Sequence, residues 1–301
     1  MNKYIIAVTY GGLCNRIKCL LSSMRLAEKY SKRLALFWPR DPDCNCSFSD
    51  LFENKIDEVD RKQLEALACK DGDSRDYEIC KTWRLLTLPE DNLPSRFSRV
   101  FPSERGGEID FEYERIPLPV RGEFLKHIKR LAPKRYIADK IEEFSQNFDG
   151  SITSINIRTW EKEERRHLFN EGNVWRIIER QEEKSRFFIV CDSPEFVKKI
   201  ITKYKDRVLY YPRRTYPGDR NSREGIEDAL IELYLLSKSD KIKASLWSTF
   251  SEMAWWLGGC KAAVEVIPLS PGGYAYAAIY KIKTKLGNKF SQINPSYART
   301  K

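Results

Sequence analysis

Four groups of residues in this 301-residue chain have the types and placement to handle an anionic ligand. Arg158 stands directly after the run Ser-Ile-Thr-Ser-Ile-Asn-Ile. A planar, permanently charged fork at that place suits a phosphate oxygen or a departing diphosphate, and it would equally serve a surface carboxylate. Ser248-Thr249-Phe250-Ser251 precedes the apolar stretch Met-Ala-Trp-Trp-Leu. Ser248 reads as a helix N-cap, and the first turn behind it leaves amides free. Those amides, the hydroxyls and the helix dipole together make an anion site, although ordinary capping also explains the serine. Asp228, in Gly-Ile-Glu-Asp-Ala-Leu, falls near the start of a leucine-rich helix. It either balances the dipole or accepts hydrogen bonds from a purine base or a sugar hydroxyl. The fourth group is Gly11-Gly12-Leu-Cys-Asn15-Arg16, behind the first apolar run. It lacks the later glycine of a dinucleotide fingerprint. Its two glycines still let backbone approach a ligand, and Asn15 either caps the next helix or aims its amide at a sugar.

These groups must be held by a framework, and hydrophobic spacing supplies one. The pattern predicts a strand over 4–9, a helix over 15–30 and a second strand over 33–38. Residues 39–115, rich in Asp, Pro, Cys and Ser, show no regular pattern, and a helical period resumes over 134–148. From residue 151 strands and helices alternate: strands over 151–158, 186–191, 208–211, 241–245 and 262–267, with helices over 174–183, 194–203, 225–237 and 249–257. Such alternation predicts parallel sheets covered on both faces, here in two halves, 1–150 and 151–301. In open α/β sheets ligands lie beyond the carboxyl ends of the strands. Arg158, the Ser248 turn and Asp228 are all read as falling at such ends.

Composition narrows the ligand classes. No apolar run approaches the ~20 residues that span a bilayer. The first residues read as a strand rather than a signal peptide, so a cytosolic location is expected. The net charge is +10, which admits anionic partners. Basic residues are interspersed with acidic ones through most of the chain and are not concentrated on the motifs, so a nucleic-acid partner is not expected. After Glu265 no acidic residue follows, and residues 281–301 are purely basic. That tail is a solvated face or a contact for an anionic membrane surface or acceptor. Eight cysteines form no spaced metal frame, and two histidines, His127 and His167, exclude a His-rich metal site. Without a secretion signal the thiols are expected to be reduced, with Cys191 a buried small hydrophobe.

The order of these motifs resembles the superfamily of α-1,2-, α-1,6- and protein O-fucosyltransferases, which includes the bacterial nodulation-type enzymes. Its GGxGN-like opening is matched by Gly11-Gly12-Leu-Cys-Asn15, with Cys14 in place of a glycine. Its HxRR motif is matched by Asn156-Ile-Arg158-Thr159, which keeps the first arginine and lacks the histidine and the second arginine. An acidic strand end follows at Asp192-Ser-Pro-Glu195, then Asp228 and the Ser248-Thr249-Phe250-Ser251 turn. The resemblance covers the first ~50 residues and roughly residues 151–260. It implies a GT-B-like pair of Rossmann-type domains, with the acceptor on 1–150 and the donor on 151–301. It further implies GDP-fucose as donor, a glycan or other hydroxyl acceptor, and inverting transfer without metal or cofactor. Arg158 would hold the donor phosphates with help from the Ser248 turn, and Asp228 or the helix around it would recognise guanine. A carboxylate base would come from Glu161, Glu163, Glu164 or Asp192. The same fold with another GDP- or UDP-sugar, or a non-catalytic nucleotide or sugar binder, are the rival expectations.

Overall fold

The computed structural model describes residues 4–68, 77–83, 85–86, 88, 91, 101–102, 108–109, 116–148, 150–160, 164–181 and 185–279. The chain opens with β1 (Tyr4–Val8), α1 (Leu13–Lys29) and β2 (Arg33–Phe37), the βαβ unit that the hydrophobic pattern predicts. The stretch without a pattern contains short elements: α2 (Phe48–Leu51), β3 (Asp57–Glu58), α3 (Arg61–Ala68), β4 (Tyr77–Cys80), and the antiparallel pair β5 (Phe101–Pro102) and β6 (Glu108–Ile109). Strands of two to four residues carry too few alternations to register as a period.

Helices α4 (Leu118–Ile128) and α5 (Arg135–Ser145) lead to the second series. It runs β7 (Thr153–Ile157), α6 (Glu171–Glu179), β8 (Phe187–Cys191), α7 (Pro194–Tyr204), β9 (Val208–Leu209), α8 (Arg223–Ser237), β10 (Lys241–Ala244), α9 (Thr249–Leu257) and β11 (Ala263–Val266). Every one of these strands was expected from the alternation, and the helices shift by only a few residues at their starts.

Two parallel sheets result. The first has the order β3-β2-β1-β4 and the second β11-β10-β7-β8-β9. All named pairings within them are parallel. Both are Rossmann-type orders, in which the chain starts mid-sheet, proceeds to one edge and returns to build the other side. The reversal leaves a crevice beside the first strand: β1 against β4 in one sheet, β7 against β10 in the other. This is a GT-B-like α/β fold.

The halves share one apolar core, in which Leu20, Leu21, Phe124, Leu230, Leu233 and Trp256 are all fully buried. Helix α5 packs on α8, and α1 and α4 pack on α9. Phe124 meets Trp256 edge-on with ring centroids 6.0 Å apart, and Phe144 of α5 meets Phe188 of β8 at 5.9 Å. Because α1 is wedged between its own sheet and α9, it buries even Lys18, whose ammonium meets buried Glu252 at 2.9 Å. No helix among the described residues is long and apolar enough to cross a membrane.

Candidate functional site

A cleft of about 220 Å³ lies at the carboxyl ends of both sheets. The first half contributes Gly12, Leu13, Cys14, Asn15 and Asp43, and the second contributes the larger wall around Arg158, Asp192, Glu232 and Ser248. The cleft therefore sits at the crevice between β7 and β10 of the second sheet, facing the residues that follow β1 and β2 of the first.

Arg158 follows β7, and three neighbours fix it. Its amide donates to Ser245 Oγ at 2.9 Å, tying it to the end of β10. Its Nη1 lies 3.3 Å from Asp192 Oδ2. Its guanidinium rests over the Trp160 ring, 4.5 Å from the centroid. The other oxygen of Asp192 accepts from the Thr159 amide at 2.7 Å and from the Thr159 hydroxyl at 3.0 Å. Asp192 is thus engaged in shaping the loop after β7.

Ser248 caps α9, accepting from the Ser251 amide at 3.4 Å. Asn156 on β7 sets the pose of this turn, because its Nδ2 donates to Ser248 Oγ at 2.8 Å and to Ser251 Oγ at 2.6 Å. Ser248, Thr249 and Phe250 line the cleft, whereas fully buried Ser251 faces Asn156 behind it. The amides of Thr249 and Phe250 have no acceptor within the helix. A carboxylate in the first turn, Glu252, would otherwise compete for this positive end; its ion pair with Lys18 neutralises it.

On α8 the geometry redistributes the expected roles. Asp228 is fully buried and does not line the cleft. It accepts from the Arg214 amide at 2.7 Å and from Arg214 Nε at 2.9 Å, anchoring the loop after β9. One turn further, on the face that meets the cleft, is Glu232, 2.5 Å from Arg213 Nη1. Glu232 Oε1 and Arg213 Nε are buried without hydrogen-bond partners. Burial pushes the Glu232 carboxyl up to about 7, even against the opposing charge of Arg213.

The first half presents a sparser wall. Gly11, at φ +72°, makes the turn and accepts from Arg16 Nε at 2.6 Å; it lies outside the lining. Gly12 is the N-cap of α1. Asn15 lines the cleft, and its Oδ1 is buried without a partner. Burial raises the Cys14 thiol to about 12, which removes it as a nucleophile. The loop after β9 closes one end, where Asn45 donates to the carbonyls of Arg220 at 3.0 Å and Asn221 at 2.7 Å.

Of the residues singled out from sequence, the fold brings together Gly12, Asn15, Arg158, Asp192, Ser248, Thr249 and Phe250. It buries Ser251 and Asp228 behind the wall and leaves Gly11 outside the lining. Glu161 and Glu163 lie outside the described residues, as do the side chain of Glu164 and the tail over 281–301. Trp160, Arg165, Arg213, Arg220 and Glu232 were missed. An arginine pair at Arg213-Arg214, shortly after a short strand, was the available signal for Arg213. Among the described residues no group of three or more His, Cys, Asp or Glu side chains is placed to hold a metal ion.

Solved structures share this architecture. NodZ α-1,6-fucosyltransferase soaked with GDP-fucose matches at a TM-score of 0.57 and 15% identity, over 85% of this chain and 93% of that one. Fucosyltransferase NodZ from Bradyrhizobium matches at 0.54 and 15% identity, over 84% and 93%. A variant of Arabidopsis thaliana FUT1 in complex with GDP matches at 0.56 and 15% identity, over 91% and 72%. No family model and no curated protein sequence matches. At these identities the likeness is one of fold, two Rossmann-type sheets facing each other across a cleft.

Proposed function

We propose that the chain is a nucleotide-sugar-dependent glycosyltransferase that moves L-fucose from GDP-fucose to a hydroxyl of a glycan or other acceptor, with inversion and without metal. One observation carries this reading: Arg158 and the N-terminus of α9 converge on one cleft at the crevice between β7 and β10. Residues 151–301 then form the donor half and 1–150 the acceptor half. The fucosyl identity rests on the motif resemblance.

In this scheme an acceptor hydroxyl oxygen attacks the anomeric carbon while the bond to the β-phosphate oxygen breaks, its electrons leave with the diphosphate, and the hydroxyl proton passes to solvent. Charge builds on that leaving group, so groups already aimed at it lower the barrier most. Arg158 offers a fork held in place by Asp192 and Trp160. The amides of Thr249 and Phe250 add two neutral donors at the positive end of α9. The buried Oε1 of Glu232 supplies an acceptor for the N–H edge of a base, the task that the sequence pattern gave to Asp228. Asn15 Oδ1 faces the same space from the first half and can accept from a sugar or acceptor hydroxyl. Asp192 serves to position Arg158 and Thr159.

Thermal-shift measurements with a panel of nucleotide sugars test donor choice, because a ligand at 100 times its Kd stabilises by about 2.7 kcal/mol. GDP-fucose should give the largest shift, and its turnover should survive a chelator. Transfer to no hydroxyl acceptor, with no hydrolysis of any nucleotide sugar, would overturn the reading.

A further inference from the structure

Trp160 is the least conventional residue on the cleft wall. Its backbone is at φ +57°, a region that bulky side chains rarely occupy. It is 6% exposed, and its Nε1–H is buried without a hydrogen-bond partner. Two guanidiniums rest on its ring, Arg158 at 4.5 Å and Arg165 at 4.3 Å from the centroid. All three residues line the cleft. Backbone strain that the fold sustains is a pointer to function when an independent feature agrees with it. Here the independent features are the unsatisfied donor and the gathering of two like charges onto one ring.

A cation held at an aromatic ring by the ring's quadrupole can still donate its N–H groups to an anion. Two guanidiniums gathered at one indole therefore suit a ligand that carries more than one negative charge. A single phosphate monoester would occupy one fork, whereas a diphosphate can engage both. Arg165, Arg213 and Arg220 also line the cleft, and of these Arg165, on the 3-10 turn over Glu164–Leu168, shares the Trp160 ring with Arg158.

We infer that Trp160 and Arg165 complete a diphosphate clamp with Arg158, Trp160 gathering both guanidiniums at its ring and giving its Nε1–H to a ligand oxygen. This rests on the donor-site reading above and extends it to a second cation and its platform.

Calorimetric titration with GDP and with GMP decides it, using the parent chain, Arg165→Ala, Arg165→Lys and Trp160→Phe, each checked for an unchanged melting curve. Loss of one charge-assisted contact predicts a GDP affinity lower by about tenfold or more in Arg165→Ala, partly restored in Arg165→Lys. GMP affinity should change far less. Trp160→Phe keeps a ring under both cations and removes only the N–H, so its loss for GDP should be smaller than that of Arg165→Ala. If the parent binds GDP and both Arg165→Ala and Trp160→Phe bind it equally well, the clamp is wrong and the donor site stands. Equal losses for GDP and GMP would also overturn the clamp. A parent chain that binds neither GDP nor GMP overturns both readings.

Discussion

The two sheets have the same winding, yet their carboxyl ends are furnished differently. Beyond β1 lies a glycine turn that brings backbone and one amide, that of Asn15, to the cleft. Beyond β7 and β10 lie Arg158, Trp160 and the capped start of α9, with Arg165, Arg213 and Glu232 alongside. One wall carries few charges; the other gathers several, with Arg158 paired to Asp192 and Arg213 to Glu232, beside a helix start whose Ser248 and Ser251 hydroxyls accept from buried Asn156. On the proposed reading the second wall grips a diphosphate and the first admits an acceptor.

The walls face each other through the packing of α5 on α8 and of α1 and α4 on α9, and a strong way to break the comparison is to break the buried ion pair within it. Lys18 and Glu252 are 2% and 5% exposed, and removing one partner of a buried pair costs about 3–5 kcal/mol. Lys18→Met should lower stability by that order in denaturant titration. The double variant Lys18→Met/Glu252→Gln should recover much of the loss. At the charged wall, Arg158→Ala should cut donor turnover by about 100–1,000-fold, the scale of removing a donor to developing negative charge. Asn15→Ala should cost less and should act mainly on acceptor use, read as KM for acceptor against KM for donor.

Glu232 supplies a test in pH. A carboxyl raised by burial favours the folded state in its protonated form. Its contribution to stability is therefore full below the unfolded value of 4.5 and is lost as pH rises through about 7. Nucleotide affinity should move the other way, rising through about 7 as the carboxylate forms and accepts from the base. Melting temperature and GDP affinity measured across pH 5–8, in parent and Glu232→Gln, would show the opposed trends in the parent and flatten both in the variant. The smallest effect belongs to the cap: Ser248→Ala removes the acceptor for the Ser251 amide and should cost about 1 kcal/mol of stability.

The alternation of strand and helix was readable in residues 151–267 because each element is long enough to show its period. Residues 39–115 resisted, since β3 and β4 are short and gain their identity from pairing with β2 and β1. The site was legible where chemistry is local: Ser248 caps the helix it precedes, and Arg158 ends the strand that aims it. It was illegible where a partner comes from far along the chain. A helical period placed Asp228 and Glu232 on neighbouring turns of α8, but only the fold shows that Arg214 claims the first and that the second reaches the cleft. Arg165 and Trp160 matter only through their meeting with Arg158, which no spacing rule announces.

The donor wall can be tested directly by a crystal structure with GDP bound. The account predicts the diphosphate between the Arg158 guanidinium and the amides of Thr249 and Phe250, with the base edge toward Glu232. A nucleotide seated on the glycine turn beyond β1, with its phosphates away from Arg158, would contradict it.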